Sequence, residues 1–410
     1  MTVVNQGMAS SSSTMVEIDA RQREILRLLW SSGRLSRWEL HRKTGVNPNA
    51  VGVDVATLLG GGIIRECASE VAGPGRPRIP LEIDPTVRHV VGVAISPGRV
   101  EAGRLTLRGS LLGRPIGRNV TEPGKTVAVA QALLRESLTD QTLAVGLSVT
   151  GFVDPNERAI LTSSSIPGQG SVSLAPLYET IGDRPLILEN NMHALAAWWL
   201  LIHQAEADED VLLVSIRDGQ LGAALLIDGR PNRGCAIGAN ELGHVRFFAD
   251  TDTCYCGHPG CLERIVSTEF LRRRGVAVGS LLEHAAHYGG GDSGANGGSA
   301  KASKTTMAAD KAVGEVLDYL SAGLANAVNF IRPNRLVLAS ELTRYPAFNS
   351  SLLRSIRSRL LGRLLERVRI DLWDQVDGHS AETAGWLALA SLYREGWDRP
   401  VEQPAPVAST

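Results

Sequence analysis

Glu241-Leu242-Gly243-His244, followed nine residues later by Cys254-Tyr255-Cys256-Gly257-His258-Pro259-Gly260-Cys261-Leu262-Glu263, is the stretch on which the reading of this chain turns. Three cysteines crowd into eight residues with a histidine just upstream. Three thiolates and one imidazole make a tetrahedral Cys3His set. A shell filled by four protein ligands leaves no open position for water, so such a zinc site is structural rather than catalytic. The predicted ligands are His244, Cys254, Cys256 and Cys261, with His258 inside the loop as the alternative nitrogen ligand. Five cysteines in all are too few for a disulfide framework. Cys67 and Cys235 stand apart and read as ordinary small apolar residues.

Around this stretch lie 410 residues, enough for two or three domains. Hydrophobic residues make up 43% and charged residues 21%, a globular balance that excludes disorder along the whole length. Apolar runs such as Ala194 to Ile202 fall far short of the roughly 20 residues a bilayer span needs, and no secretory leader opens the chain. The expectation is a cytoplasmic protein. Its net charge of -1 is unevenly spread: Arg21 to Pro80 holds ten basic residues against five acids.

That basic segment carries its own pattern. Residues 1–17 are Ser-rich without apolar periodicity and read as a disordered tail. Ile25, Leu26, Leu28 and Leu29 recur at helical spacing before Ser31-Ser32-Gly33. Ser36 and Glu39 form a capping-box pair for a helix Arg37 to Lys43 that stops at Gly45. Asn47 caps a third helix, with Pro48 at its first position, running to about Leu59. Two strands, Ile63 to Cys67 and Arg78 to Ile83, flank a Gly/Pro loop, Gly73-Pro74-Gly75-Arg76-Pro77-Arg78. Together these make a winged helix-turn-helix over residues 18–85. In that arrangement the third helix enters the major groove of DNA, bringing Asn47, Asn49 and Ala50 to base edges. Arg37, Arg42 and Lys43 hold phosphates, and Arg76 and Arg78 project from the wing.

From His89 onward short apolar strands alternate with helices. Val90 to Ile95, Leu143 to Val149, Leu186 to Leu188, Val211 to Ile216, Ala223 to Ile227 and Arg335 to Ala339 are the predicted strands. Thr126 to Ser137, Ala194 to His203 and Lys311 to Ile331 are predicted helices. This is an α/β body over residues 88–400, in two lobes with a cleft as the default ligand site. A Gly/Ser/Ala/Asn-rich stretch at 289–303 reads as a flexible insertion and 401–410 as a tail.

Glu-x-Gly-His followed by Cys-x-Cys-Gly-x-x-Gly-Cys-x-Glu resembles the signature of the ROK family of repressors, uncharacterised reading frames and sugar kinases. Gly146 to Asp154, Ile166-Pro167-Gly168, Leu188 to Asn191, Leu324 to Leu338 and the wing sequence Gly75-Arg76-Pro77 extend the resemblance over nearly the whole chain. It implies an actin-like, hexokinase-type fold of two lobes behind a winged helix-turn-helix. It also implies that Asn190, Asn191, Glu241, His244 and Glu263 hold the hydroxyls of a sugar, with His244 serving zinc and sugar through its two ring nitrogens. Carboxylates and amides suit a polyol because each bridges neighbouring hydroxyls.

The departures from the kinase pattern lie on the phosphate side. Asn191 stands where the resemblance places the Asp that takes a proton from the attacking hydroxyl, and an amide is no general base at neutral pH. Ala94 replaces a phosphate-loop Asp, Pro97 removes an N–H donor, and Asp218-Gly219-Gln220 stands where a Gly-Thr-Gly loop is expected. Near Ala339-Ser340 the expected Gly-Gly is missing. The resulting expectation is a non-enzymatic, sugar-responsive transcriptional regulator, a repressor by preference. It reads an inverted-repeat operator as a homodimer or homotetramer and takes a sugar or sugar phosphate as effector. Two rival readings are an active sugar kinase that also binds DNA and a regulator governed by a partner protein.

Overall fold

A computed structural model of the chain describes residues 18–68, 78–163, 166–168, 170–203, 209–217, 220–234, 240–247, 253–266, 268–275, 304–344, 346–364, 366–374 and 380–397. The two tails and the insertion expected at 289–303 lie outside these residues, as do Arg76 and the tip of the wing. Contacts divide the chain into one unit of residues Met1–Ala194 and His379–Pro400 and a second of Leu195–Gly378 and Val401–Thr410.

The first unit opens with three helices. α1 (Ala20–Ser32) starts on a capping box that the sequence reading missed: the Asp19 carboxylate accepts from Gln22 N at 2.8 Å, and the Gln22 side chain accepts from Asp19 N. α2 (Arg37–Thr44) has the expected Ser36–Glu39 box and ends at Gly45, whose φ of 69° is the left-handed conformation that glycine adopts freely. α3 (Pro48–Gly60) begins at Asn47, whose side chain accepts from Asn49 N. Ile25, Leu26, Leu29, Leu40, Val51, Val55 and Leu58 are buried together with Leu81. The buried Asp54 of α3 accepts from Arg21 of α1 at 3.1 Å. β1 (Leu35–Ser36) and β2 (Ile64–Glu66) each pair antiparallel with β3 (Pro80–Ile83), which completes the winged arrangement.

Behind them stands a five-stranded sheet. β4 (His89–Ser96), β5 (Arg99–Thr106) and β6 (Ile116–Asn119) run antiparallel, and α4 (Thr126–Ser137) leads to β7 (Thr142–Val149). A small antiparallel sheet, β8 (Gly151–Asp154), β9 (Ala159–Ser163) and β10 (Val172–Ser173), precedes α5 (Ala175–Ile181) and β11 (Leu186–Asn190). The order is β11-β7-β4-β5-β6, with β11 and β4 parallel to β7. α6 (Asn191–Ile202) follows without a break.

The second unit repeats this plan. β12 (Val211–Arg217), β13 (Gln220–Ile227) and β14 (Arg230–Pro231) are antiparallel neighbours. After α7 (Leu262–Val266), α8 (Thr268–Arg273) and α9 (Lys304–Ile331) come β15 (Arg335–Ser340), α10 (Pro346–Arg359) and β16 (Arg369–Trp373). The order β14-β13-β12-β15-β16, with β15 parallel to both neighbours, matches the first sheet strand for strand. Val214, Val316, Leu320, Leu324 and Leu336 fill its core. Among the described residues no helix is long and apolar enough to cross a membrane.

α11 (Ser380–Tyr393) returns the chain to the first unit and lies against β4, β5 and β7. The approach is backbone to backbone. A Cβ on Gly92 would lie 2.0 Å from the Ala381 carbonyl oxygen, and one on Gly146 would lie 2.0 Å from that of Ala384. The outer side of α11 receives α1. The Trp30 ring lies tilted 5.0 Å from Tyr393 and meets Trp386 edge-on at 6.0 Å, and Arg23 donates to the Ser391 carbonyl at 3.1 Å. Arg108, in the turn after β5, donates to the Trp30 carbonyl and covers its ring. The helix-turn-helix is thus packed onto the sheet-bearing body within one unit.

Two outcomes follow from this packing. Gly146→Ala should cost about 1–3 kcal/mol as an overpacked contact, whereas Gly52→Ala in α3, with nothing near its Cβ position, should be neutral or gain up to about 1 kcal/mol. Thermal unfolding of the two variants beside the parent distinguishes them. His89, buried at the start of β4 with Nε2 2.9 Å from Thr142 Oγ1, is held down to about 4 by burial and then by Arg104 and Arg88. A depressed histidine contributes stability that is intact above its unfolded value of about 6.5 and is lost as pH falls toward 4. Unfolding free energy should therefore decline across that window, and the decline should flatten in His89→Gln.

Candidate metal centre and binding residues

Side chains of His244, Cys254, Cys256 and Cys261 converge so that their ligand atoms all lie within 4.8 Å of one another. Local hydrogen bonds build the knot. Gly257 N donates to the Cys254 carbonyl and Cys254 N to the His258 carbonyl, closing a tight loop, while Phe247 N donates to the Gly260 carbonyl and brings the chain after His244 alongside. Gly257 and Gly260 take φ values of 88° and 78°, which the tight turns require. Cys254 Sγ is 3.8 Å from His244 Nδ1, and Cys256 Sγ is 3.6 Å from Cys261 Sγ. A disulfide needs about 2.05 Å, whereas thiolates about 2.3 Å from a shared tetrahedral ion are separated by about 3.8 Å. The donor set and its spacing fit a zinc ion. His258 Nδ1 lies 3.8 Å from Cys256 Sγ at the rim, outside the four-atom group.

Without a cation these thiols compete. Burial pushes Cys261 up to about 12, with the neighbouring thiols adding to it, and burial also raises Cys254. Burial acts in the same direction on Cys256, but hydrogen bonds from the His258 backbone and ring and from the other two thiols outweigh it and bring Cys256 down to about 6. A divalent cation shared by the sulfurs would oppose the burial and the thiol–thiol repulsion that raise Cys254 and Cys261.

The candidate sugar ligands form two groups, one in each unit. In the second, Glu241 starts the short 3-10 turn Leu242–His244, and Glu263 lies in α7. Glu263 is buried and its Oε2 accepts from Leu221 N of β13 at 2.9 Å. A Cβ on Gly243 would lie 2.4 Å from the Leu221 carbonyl oxygen and 3.4 Å from that same Glu263 Oε2. One residue of β13 thus seats both the Glu-x-Gly-His turn and the acid that follows the last cysteine. Leu221 was not legible beforehand, because a backbone donor has no side-chain signature. His244 turns Nδ1 toward the sulfurs and Nε2 toward Tyr255 Oη, 3.1 Å away, and Glu241 Oε2, 3.8 Å away. Burial raises Glu241 and Glu263, and the His244 ring beside them opposes the rise.

In the first unit, Asn190 ends β11 and the exposed Asn191 opens α6. Asn190 Oδ1 accepts from His193 N at 2.8 Å, so its side-chain carbonyl caps the helix. Below it Glu189 and His193, both buried, are joined at 2.7 Å. On the phosphate side, Ala94 is enclosed in β4 between Glu101 and Ser148, and Ser340 Oγ accepts from Leu342 N. Asp218 and Gly219 lie outside the described residues.

The DNA-side candidates separate into held and exposed groups. Arg37 is ion-paired to Glu66 at 2.9 Å, and Asn47 spends its carbonyl on the α3 cap. Asn49, Arg42, Lys43 and Arg78 are exposed. Trp38, which the sequence reading passed over, is also exposed, and both Arg42 and Arg78 lie over its ring.

The chain is similar to known proteins. The chain is 22% identical over 387 residues to the xylose repressor of Bacillus spizizenii, covering 91% of this chain and 94% of that one. It is 26% identical over 269 residues to the DNA-binding transcriptional repressor Mlc of Escherichia coli, covering 60% and 63%. A crystal structure of a ROK family transcriptional regulator, homologous to the E. coli Mlc protein, superposes with a TM-score of 0.70 at 19% identity, covering 92% of this chain and 96% of that one, which supports the fold. With residues 117–392 matching the ROK family, and with the repeated sheet plan and Cys3His knot in place, the chain belongs to that family.

Proposed function

We propose that this protein is a sugar-responsive transcriptional repressor whose kinase-like body senses its effector without phosphorylating it. The observation that carries the reading is the joining, in one unit, of a winged helix-turn-helix to a kinase-like sheet that has Asn191 at the head of α6. The amide at 191 is able to hydrogen-bond a hydroxyl but does not take its proton. Binding is therefore retained where transfer is not. The effector is a sugar or sugar phosphate, held by Asn190, Asn191, Glu241, His244 and Glu263, and the DNA is an inverted-repeat operator read by a homodimer in the cytoplasm. Asn49 at the start of α3 approaches base edges while Lys43, Arg42, Arg78 and Arg76 meet phosphates.

His244, Cys254, Cys256 and Cys261 would hold a structural zinc ion, which supplies cross-linking of the loop rather than chemistry. The protein's own part is to fix the His244 ring beside Glu241 and to seat Glu263 on Leu221.

Metal analysis of the purified chain should give about one zinc per polypeptide. Cys254→Ser should lose the metal together with thermal stability, whereas Cys67→Ser, away from the cluster, should keep both. For the regulator itself, operator fragments selected from genomic DNA should bind tightly, and the correct sugar should change that affinity about 5- to 150-fold. Asn190→Ala should abolish the sugar response while leaving DNA binding intact. Robust ATP-dependent phosphorylation of a hexose that disappears in Asn190→Ala would overturn the non-enzymatic reading.

A further inference from the structure

The cations of the helix-turn-helix are not equivalent. Arg21 is tied to Asp54, Arg34 and Arg65 share Glu82, and Arg37 is tied to Glu66. Glu82 is accordingly held down to about 2, first by its hydrogen bond from Arg34 and then by that from Arg65. Those guanidinium groups each commit at least one donor to a carboxylate inside the domain. Arg42 and Arg78 are held by a different contact, the face of Trp38.

Arg78 Cζ lies 4.0 Å from the Trp38 ring centroid and Arg42 Cζ lies 5.2 Å from it. Arg42 is one helical turn beyond Trp38 on α2, and Arg78 lies just before β3 at the root of the wing. Trp38 itself is 47% exposed, so it is no part of the core. Glu39 feels the charge of Arg78 but is engaged in the Ser36 capping box. A guanidinium stacked on a ring is restrained through its π face, while its N–H donors lie along its edge. Stacking therefore orients the group without consuming the donors that a phosphate needs, unlike a carboxylate partner.

We propose that Trp38 is the positioning residue of a two-guanidinium clamp, formed by Arg42 and Arg78, for a backbone phosphate of duplex DNA. The inference deepens the regulator reading and rests on it. By holding a cation from each, the indole couples α2 to the base of the wing. A phosphate contact carries no sequence information, so the clamp sets register and affinity rather than base choice.

The test uses the full chain and a fluorescent duplex of random sequence about three helical turns long, titrated across a range of salt concentrations. Trp38→Ala should weaken binding about tenfold at low salt and reduce the slope of log affinity against log salt by about 1, as one phosphate contact is lost. Trp38→Phe, which keeps an aromatic face, should restore most of both. Arg78→Gln should produce a similar loss, and the Trp38→Ala/Arg78→Gln pair should lose far less than the sum of the singles, because the two act as one unit. Equal melting temperatures would establish that Trp38→Ala is folded; were it not, the Arg78→Gln and Trp38→Phe arms carry the same comparison. Unchanged affinity and slope in folded Trp38→Ala, or strict additivity with Arg78→Gln, would overturn the clamp alone. A parent protein that binds no duplex even at low salt would overturn the regulator reading and the clamp with it.

Discussion

The separation between α11 and the sheet beneath it is set by absent side chains. Gly92 of β4 and Gly146 of β7 leave no atom where α11 passes, so the carbonyls of Ala381 and Ala384 come to within what a single methyl would occupy. Gly385 makes the reciprocal concession on the helix, where a Cβ would strike Leu105 of β5. Such close packing fixes the helix in position and angle, because interiors at crystal-like density do not deform smoothly. Everything docked on the far side of α11 inherits that fixity. Trp30 is seated against Trp386 and Tyr393, and the buried Tyr393 hydroxyl is itself anchored by donating to the Leu107 carbonyl at 2.6 Å. The three N-terminal helices are thus tied to their sheet by side-chain packing and hydrogen bonds as well as by chain continuity.

The second unit solves a different problem, that of keeping acids and thiols together in partial burial. Glu263 is drawn out of water and compensated by one backbone N–H from Leu221, which lowers its pKa against the larger rise caused by burial. His244 faces the sulfurs with one nitrogen and Glu241 with the other, and so links the thiol cluster to the acids. The charge balance of the acids thus depends on what the ring and the sulfurs carry. Stability of the loop and shape of the candidate ligand surface are consequently one property, since the residues of the one are neighbours in sequence of the other.

Much of this was readable from residue order, and the failures have physical reasons. Ser36, Glu39, Gly45, Asn47 and Pro48 announced α2 and α3 because capping needs specific side chains at specific offsets. The buried parallel strands β4, β7, β12 and β15 showed as apolar runs. The exposed edge strand β6, Ile-Gly-Arg-Asn, offers no such run, and α11 is apolar on nearly all faces, which masks helical periodicity. The duplication of the sheet plan escaped notice for a deeper reason. Strand order is a property of hydrogen-bond pairing, and two segments need share no residues to share it. At the site, the cysteine spacing marked the Cys/His cluster, whereas the contacts of Leu221 and Trp38 come from a backbone amide and a cross-element ring contact that no local spacing encodes.

Covalent continuity bears on how a ligand influences DNA binding. The chain passes from the first unit to the second after Ala194 and returns at His379. α6, which begins with Asn191, spans the first crossing, and α11, which carries the seat of Trp30, begins directly after the second. A candidate ligand contact lies close to one crossing, and the anchor of the helix-turn-helix lies close to the other. Adjacency alone transmits nothing, however. A ligand bound equally well in every arrangement of the two units leaves their populations unchanged, however tightly it binds. The quantity that decides regulation is the difference in affinity between arrangements.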